Sequence, residues 1–387
     1  MRDTPIGRRQ LLRDALTLGG ALALSAVLPS PNPHAVRAPH ERPAMNASKA
    51  WISGCIGRSV NRDERLFFAD ERPYGFILFR RNISEPNQLS DLVAELKEVG
   101  GGETTPILVD QEGGRVQRLR PPLAPNRPVA EEIGRLFRRN EEAGVRAAVL
   151  QGQILAADIL AYGINANCVP CLDVPVEGAH SVIGDRAYSA EPEIVAALGR
   201  AAASGTMSMG VLPVMKHLPG HGRGNADSHE ELPVVLAARG ELEAHDWPPF
   251  GALADLPAAM TAHVLFTALD PERPATLSPR IVEEVIRGAI GFDGLLMTDD
   301  LSMKALKGGF TDRSRAAIEA GCDVILHCNG DFDEMRAVAQ GVPPLDGRAL
   351  ERADAARAVI AKGRTADDRA SVAELAEEFD ELLSAVA

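Results

Sequence analysis

The chain has 387 residues, 45% of them hydrophobic and 25% charged, which is ordinary usage for a globular protein with a sizeable core. A formal net charge of −13 repels phosphate backbones and anionic lipid, so it argues against nucleic-acid partners and membrane-surface roles and favours a neutral or cationic small ligand. The five cysteines are an odd number and imply no disulfide framework.

Residues 1–38 read differently from the rest. Arg8-Arg9 precedes an apolar stretch from Ala15 to Leu28, and a Pro-rich run follows to Pro39. A basic end, a hydrophobic segment and a small-residue end make a secretion signal, and the paired arginines resemble the twin-arginine type. The apolar stretch falls short of the ~20 residues that a spanning helix needs, so no stable membrane insertion is expected. The expectation is export; were Met45 the true start, the protein would be cytoplasmic.

From residue 45 to 387 the chain reads as one domain. Eight short apolar runs follow one another: Ala50–Ile56, Gly75–Phe79, Pro106–Val109, Ile164–Val174, Val211–Met215, Ala258–Val264, Gly294–Met297 and Asp323–His327. Continuous rather than alternating apolar character suits parallel strands covered on both faces. Between them the spacing predicts helices over Gln88–Val99, Val145–Tyr162, Pro192–Met207, Pro279–Ala289 and Arg313–Ala320. This alternation predicts an α/β fold, a (β/α)8 barrel of the TIM type. The tail from Asp346 predicts two or three charged helices packed outside it. Cys168 and Cys171 form a C-x-x-C in an extended run with no second pair at matching spacing, so they read as buried structural thiols.

The strand ends carry the chemistry. Arg80-Arg81-Asn82 follows the second run, Asp110-Gln111-Glu112 the third and Lys216-His217 the fifth. His263 lies in the sixth, Asp299-Asp300 ends the seventh and Cys328-Asn329 the eighth. In a barrel these ends converge on one face, where active sites sit.

Three stretches stand out. Lys216-His217-Leu218-Pro219-Gly220-His221-Gly222, followed by Asp227-Ser228-His229, must be an irregular loop because of its glycines and proline. Asp227 is close enough to His229 to hold its Nδ1 proton and fix its tautomer, which suits an acid/base dyad. A metal site built from His217, His221, Asp227 and His229, or a merely structural turn, stays open at this point. In Thr298-Asp299-Asp300-Leu301-Ser302-Met303, two adjacent carboxylates cannot both enter one pocket comfortably, so one should face substrate, as a covalent nucleophile would, while the other packs. In Asp110–Arg118 the paired glycines suggest close backbone approach to a ligand, and a carboxylate with an arginine suits sugar hydroxyls.

Together these residues resemble glycoside hydrolase family 3, specifically its single-domain β-N-acetylhexosaminidases. The resemblance rests on V-D-Q-E-G-G-R-V-Q-R at Val109–Arg118, G-D-R at Gly184–Arg186 and K-H-L-P-G-H-G…D-S-H at Lys216–His229. M-T-A-H-V at Met260–Val264 and T-D-D-L-S-M at Thr298–Met303 complete it. It implies Asp299 as nucleophile, His229 as acid/base and Asp227 as the group that orients it. It also implies Asp110, Arg118, Arg186, Lys216 and His217 as binders of the non-reducing sugar. No metal or cofactor is implied. The implied substrate is a small carbohydrate, N-acetylglucosamine linked β-1,4 to an anhydro-N-acetylmuramic unit, and the implied state is a monomer. Leu218 departs from the usual pattern slightly and the leader departs more. Transfer to phosphate, a metal-dependent barrel hydrolase using His217, His221 and His229, and a non-catalytic sugar binder are the rival readings.

Overall fold

The computed structural model describes residues 48–363 and 371–384, so the expected leader over 1–38 lies outside the described residues. Nine strands form one parallel sheet: β1 Lys49–Ser53, β2 Pro73–Leu78, β3 Ile107–Val109, β4 Ala166–Asn167, β5 Leu212–Pro213, β6 Met215–Leu218, β7 Ala258–Thr261, β8 Leu295–Asp300 and β9 Val324–His327. Their order is β5-β4-β3-β2-β1-β9-β8-β7-β6. β5 and β6 are two halves of one stave, broken only at Val214, so the sheet is an all but closed eight-stave barrel. The seam is fastened where Cys171 bridges Lys216 in parallel register.

The strands are short and apolar because the barrel buries both faces. Every residue of β2, β3, β4, β6, β7 and β9 is buried. Each of the eight apolar runs read from the sequence overlaps a stave, with ends that differ by a few residues. The expected helices are present as α2 Pro86–Gly100, α4 Glu141–Leu160, α5 Pro192–Ser208, α6 Ile281–Ala289 and α7 Phe310–Ala320, and α1 Arg62–Glu71 and α3 Ala130–Arg139 add to them. α2 buries Leu89, Leu92, Val93 and Leu96, the stripe its 3.6-residue spacing predicts. α1 is poor in apolar periodicity and is set instead by a capping box, in which Asn61 accepts from Asp63 N and Glu64 N while the Glu64 carboxylate accepts from Asn61 N. α4 is long and apolar enough to cross a membrane by length and composition, yet most of it is buried in the protein, with α3 and α5 packed against it. α8 Phe332–Gly341 follows the last stave, and the described residues of the tail form two helices, α9 Gly347–Lys362 and α10 Val372–Ser384. α10 packs on α4, with Glu378 held by Arg146. All five cysteines are free and buried.

Candidate active site

Loops after the carboxyl ends of the staves surround one open cleft. All eight residues read from the sequence as catalytic or sugar-binding line it: Asp110, Arg118, Arg186, Lys216, His217, Asp227, His229 and Asp299. Residues 189 positions apart in the chain thus share one site because parallel staves all end on one face.

The floor is a buried charge cluster. Lys216 at the centre of β6 places Nζ 2.9 Å from Asp110 Oδ1 and 2.6 Å from Glu112 Oε1. Arg118 donates to the other oxygen of Asp110 at 2.8 Å, and Arg186 grips Glu112 through two bonds of 2.8 Å each. Burial alone would raise both carboxyls, but Lys216 and Arg118 hold Asp110 far below the usual range, and Arg186 with Lys216 hold Glu112 at about 2. Three cations against two carboxylates leave a surplus of N–H donors in residues that line the cleft, a composition suited to sugar hydroxyls. Cutting Lys216 back to Met should therefore remove one of the two cationic partners of each part-buried carboxylate, Arg118 and Arg186 keeping hold, and cost about 1.5–3 kcal/mol of stability. Denaturant unfolding of Lys216→Met checks this; a midpoint like that of the wild type would show the cluster contributes little.

The two glycines of the Asp110–Arg118 loop serve a different purpose from the one expected. Gly113 and Gly114 have φ of +100° and +55° and turn a small hairpin, Gln111–Gly113 against Val116–Gln117. A Cβ on Gly113 would lie 2.2 Å from Pro128 O. They allow chain to approach chain rather than ligand. Arg81 of the second stave end likewise donates to Cys55 O and Cys328 O and clasps two loops together.

His217 is set by a residue the sequence reading missed. Asp173 is fully buried, accepts from His217 Nδ1 at 2.6 Å, and its other oxygen accepts from His221 N at 2.6 Å. Burial is more than offset by His217 and His221, so Asp173 stays ionised. It closes the fourth predicted strand, Ile164–Val174, and the rule of polar residues at strand ends would have found it had it been applied there. Glu112 stood within a quoted motif but was given no role.

The loop bearing the dyad crosses close over this floor. Gly222 permits the crossing, since a Cβ there would lie 2.0 Å from Val174 O. His221 is buried, its Nε2 is 3.3 Å from Ser228 Oγ, and burial, then the charge of His217, lowers it to about 4. It is a neutral strut near pH 7. Beyond it Asp227 Oδ1 accepts from His229 Nδ1 at 2.8 Å and from His229 N at 2.9 Å. Burial would raise Asp227, but these bonds and the imidazole bring it below its ordinary value. A carboxylate can only accept here, so Nδ1 carries the hydrogen and Nε2 is left for proton exchange. The His229 side chain is 70% exposed, open to an arriving substrate.

Across the cleft, β8 ends in the paired carboxylates, and their surroundings separate them. Asp300 is engaged: it accepts from Ser302 N, Ser302 Oγ and Cys328 N at 2.9, 2.5 and 3.0 Å. Asp299 accepts only from Asp300 N, at 2.8 Å on Oδ1, and among the described residues no hydrogen bond engages Oδ2. Burial would raise its carboxyl, yet His217, His263 and the Asp300 N–H outweigh this and keep it below the usual range. An ionised carboxylate with one free oxygen at the cleft has the form of a nucleophile.

The metal reading from the sequence needed His217, His221 and His229. Among the described residues the group with ligand atoms within 4.8 Å of one another is instead Cys171, Asp173 and His217. Within it Asp173 Oδ2 accepts from both His217 Nδ1 and Cys171 Sγ.

Residues 48–361 match the family model described as the glycosyl hydrolase family 3 N terminal domain. A beta-hexosaminidase of Methylococcus capsulatus is 38% identical over 81% of this chain and 92% of its own length. One of Bordetella avium is 39% identical over 66% and 73%. Among solved structures, NagZ from Neisseria gonorrhoeae in complex with N-trifluoroacetyl-D-glucosamine superposes with a TM-score of 0.76 at 31% identity, covering 88% of this chain and 99% of that one.

Proposed function

We propose that this chain, which belongs to glycosyl hydrolase family 3 and is a β-N-acetylhexosaminidase, removes terminal β-linked N-acetylglucosamine with retention through a glycosyl-enzyme. One observation carries the mechanism: the free oxygen of Asp299 and the Asp227-held imidazole of His229 line the same cleft.

Asp110, Arg118, Arg186, Lys216 and His217 hold the sugar hydroxyls and acetamido group. Asp299 Oδ2 attacks the anomeric carbon while His229 Nε2 gives its proton to the departing oxygen. The same nitrogen, now neutral, takes a proton from water as that water displaces Asp299 from the anomeric carbon. Two inversions give net retention. Asp227 holds Nδ1 throughout and favours the imidazolium of the first step.

The substrate class is N-acetylglucosamine joined to anhydro-N-acetylmuramic units of peptidoglycan fragments, met by a monomer exported through its twin-arginine-type leader. Support comes from the beta-hexosaminidase relatives and from the leader's order of basic, apolar and Pro-rich segments.

Chelator-dialysed enzyme should cleave an aryl N-acetyl-β-glucosaminide at full rate, and proton NMR should show the β-anomer of N-acetylglucosamine appearing first. Loss of activity on dialysis, restored by zinc, would favour the metal-dependent rival; first release of the α-anomer would exclude the glycosyl-enzyme.

A further inference from the structure

His263 has entered so far only as a neighbour of Asp299; it is fully buried, 0% exposed, in the segment that follows β7. Its Nε2 is 3.0 Å from Asp300 O and its Nδ1 is 2.7 Å from Thr276 Oγ1. Thr276 Oγ1 is in turn 2.8 Å from Thr261 Oγ1, and both threonines are fully buried.

The proton order along this row follows from chemistry. A carbonyl only accepts, so Nε2 must donate to Asp300 O. A neutral imidazole then leaves Nδ1 as an acceptor, filled by the Thr276 hydroxyl, whose oxygen accepts from Thr261. The other arrangement turns the Thr276 hydroxyl to Ala262 O, 3.0 Å away, and puts hydrogen on both ring nitrogens. That would bury a cation, and burial opposes it.

The row ends on the residue that aims the nucleophile. Asp300 N donates to Asp299 Oδ1, and Asp300 is held by its carboxylate on Ser302 and Cys328 N and by its carbonyl on His263. Three of these grips come from β8, its own turn and the last stave. The fourth comes from the neighbouring stave, across the barrel wall.

We propose that His263 is a positioning residue for the nucleophile: through Asp300 it fixes the direction and basicity of the Asp299 carboxylate without touching the sugar. The proposal rests on the reading of Asp299 as the attacking group. The groups facing Asp299 are His217 from β6, His263 from the segment after β7, His229 from the dyad loop, and Asp300, with the Asp110–Lys216 pair across the cleft and the thiols of Cys168 and Cys328 close by. Of these, His263 is the one that also holds the backbone of Asp300.

The test compares His263→Ala, His263→Gln and Thr276→Val with wild type on an aryl N-acetyl-β-glucosaminide, with the melting temperature measured for each. In His263→Ala, kcat should fall ten- to hundredfold with KM within about threefold. The acid limb of the kcat/KM profile should move to higher pH, because an Asp300 backbone no longer held by His263 presents its N–H less firmly to the Asp299 carboxylate. His263→Gln should recover part of kcat, since its amide N–H can reach the Asp300 carbonyl. Thr276→Val, of like volume, should shift kcat and the acid limb in the same direction by less, and it serves if the alanine variant does not fold. Folded variants with unchanged kcat and acid limb would overturn the proposal, as would a fall in kcat with an unmoved acid limb and no recovery by Gln. If Asp299→Ala proved active, the reading of the nucleophile would fail first; if that variant were dead and His263 variants normal, this proposal alone would fail.

Discussion

Asp299→Ala should lower kcat/KM for an aryl N-acetyl-β-glucosaminide by about 10⁴-fold or more while the protein melts near the wild-type temperature. The activity loss follows because no other carboxylate oxygen at the end of β8 is free: Asp300 accepts three hydrogen bonds, two of them from backbone N–H groups. The stability follows because Asp299 accepts a single bond, from Asp300 N, in contact with an open cleft that can supply water in its place. Asp300→Ala gives the contrast. It leaves the N–H groups of Ser302 and Cys328 unpaired in a part-buried setting, at roughly 1–3 kcal/mol each, and loosens the nucleophile as well. A kinetic defect without a thermal one at 299, and both at 300, is the signature of a reacting group beside its support. The opposite pattern would exchange the two assignments.

His229→Ala should show a loss that depends on the leaving group. A sugar leaves as a strongly basic oxygen and needs the proton, so cleavage of a disaccharide should fall by ~10²–10⁴-fold. A nitrophenolate departs without help, so the first step on that substrate should persist while release of the glycosyl-enzyme slows. Azide needs no base, and it should speed turnover of the aryl substrate by this variant and yield a β-glycosyl azide. Asp227→Asn should fall in the same order of leaving groups, because Asp227 Oδ1 fixes both the imidazole, through Nδ1, and the loop, through His229 N. An equal loss on both substrates, with no response to azide, would remove His229 from the acid/base role.

The barrel was legible because its staves bury both faces, and a run such as Gly75–Phe79 or Asp323–His327 has few other uses. Stave ends were legible too, since Asp110, Lys216 and Asp299 each break an apolar run. What the sequence concealed was pairing at a distance. Nothing in Leu172-Asp173-Val174 shows that Asp173 holds a histidine 44 positions on, and nothing near Thr276 links it to His263 and through it to Asp300. The Gly113-Gly114 pair misled for a related reason. Positive φ can be read from glycine, but whether the space it opens receives ligand or neighbouring chain depends on Pro128, which no local pattern places there. α1 was missed because its Asn61 cap, rather than an apolar stripe, sets it.

The central claim is a covalent bond between the sugar and Asp299. A fluorinated N-acetylglucosaminyl donor that forms the glycosyl-enzyme quickly and releases it slowly tests it most directly, read by intact mass and then by peptide mapping. The account predicts a mass gain of one sugar, located on Asp299 and absent from Asp299→Ala. A fully active enzyme that gains no mass, or a sugar mapped to any other residue, would contradict it.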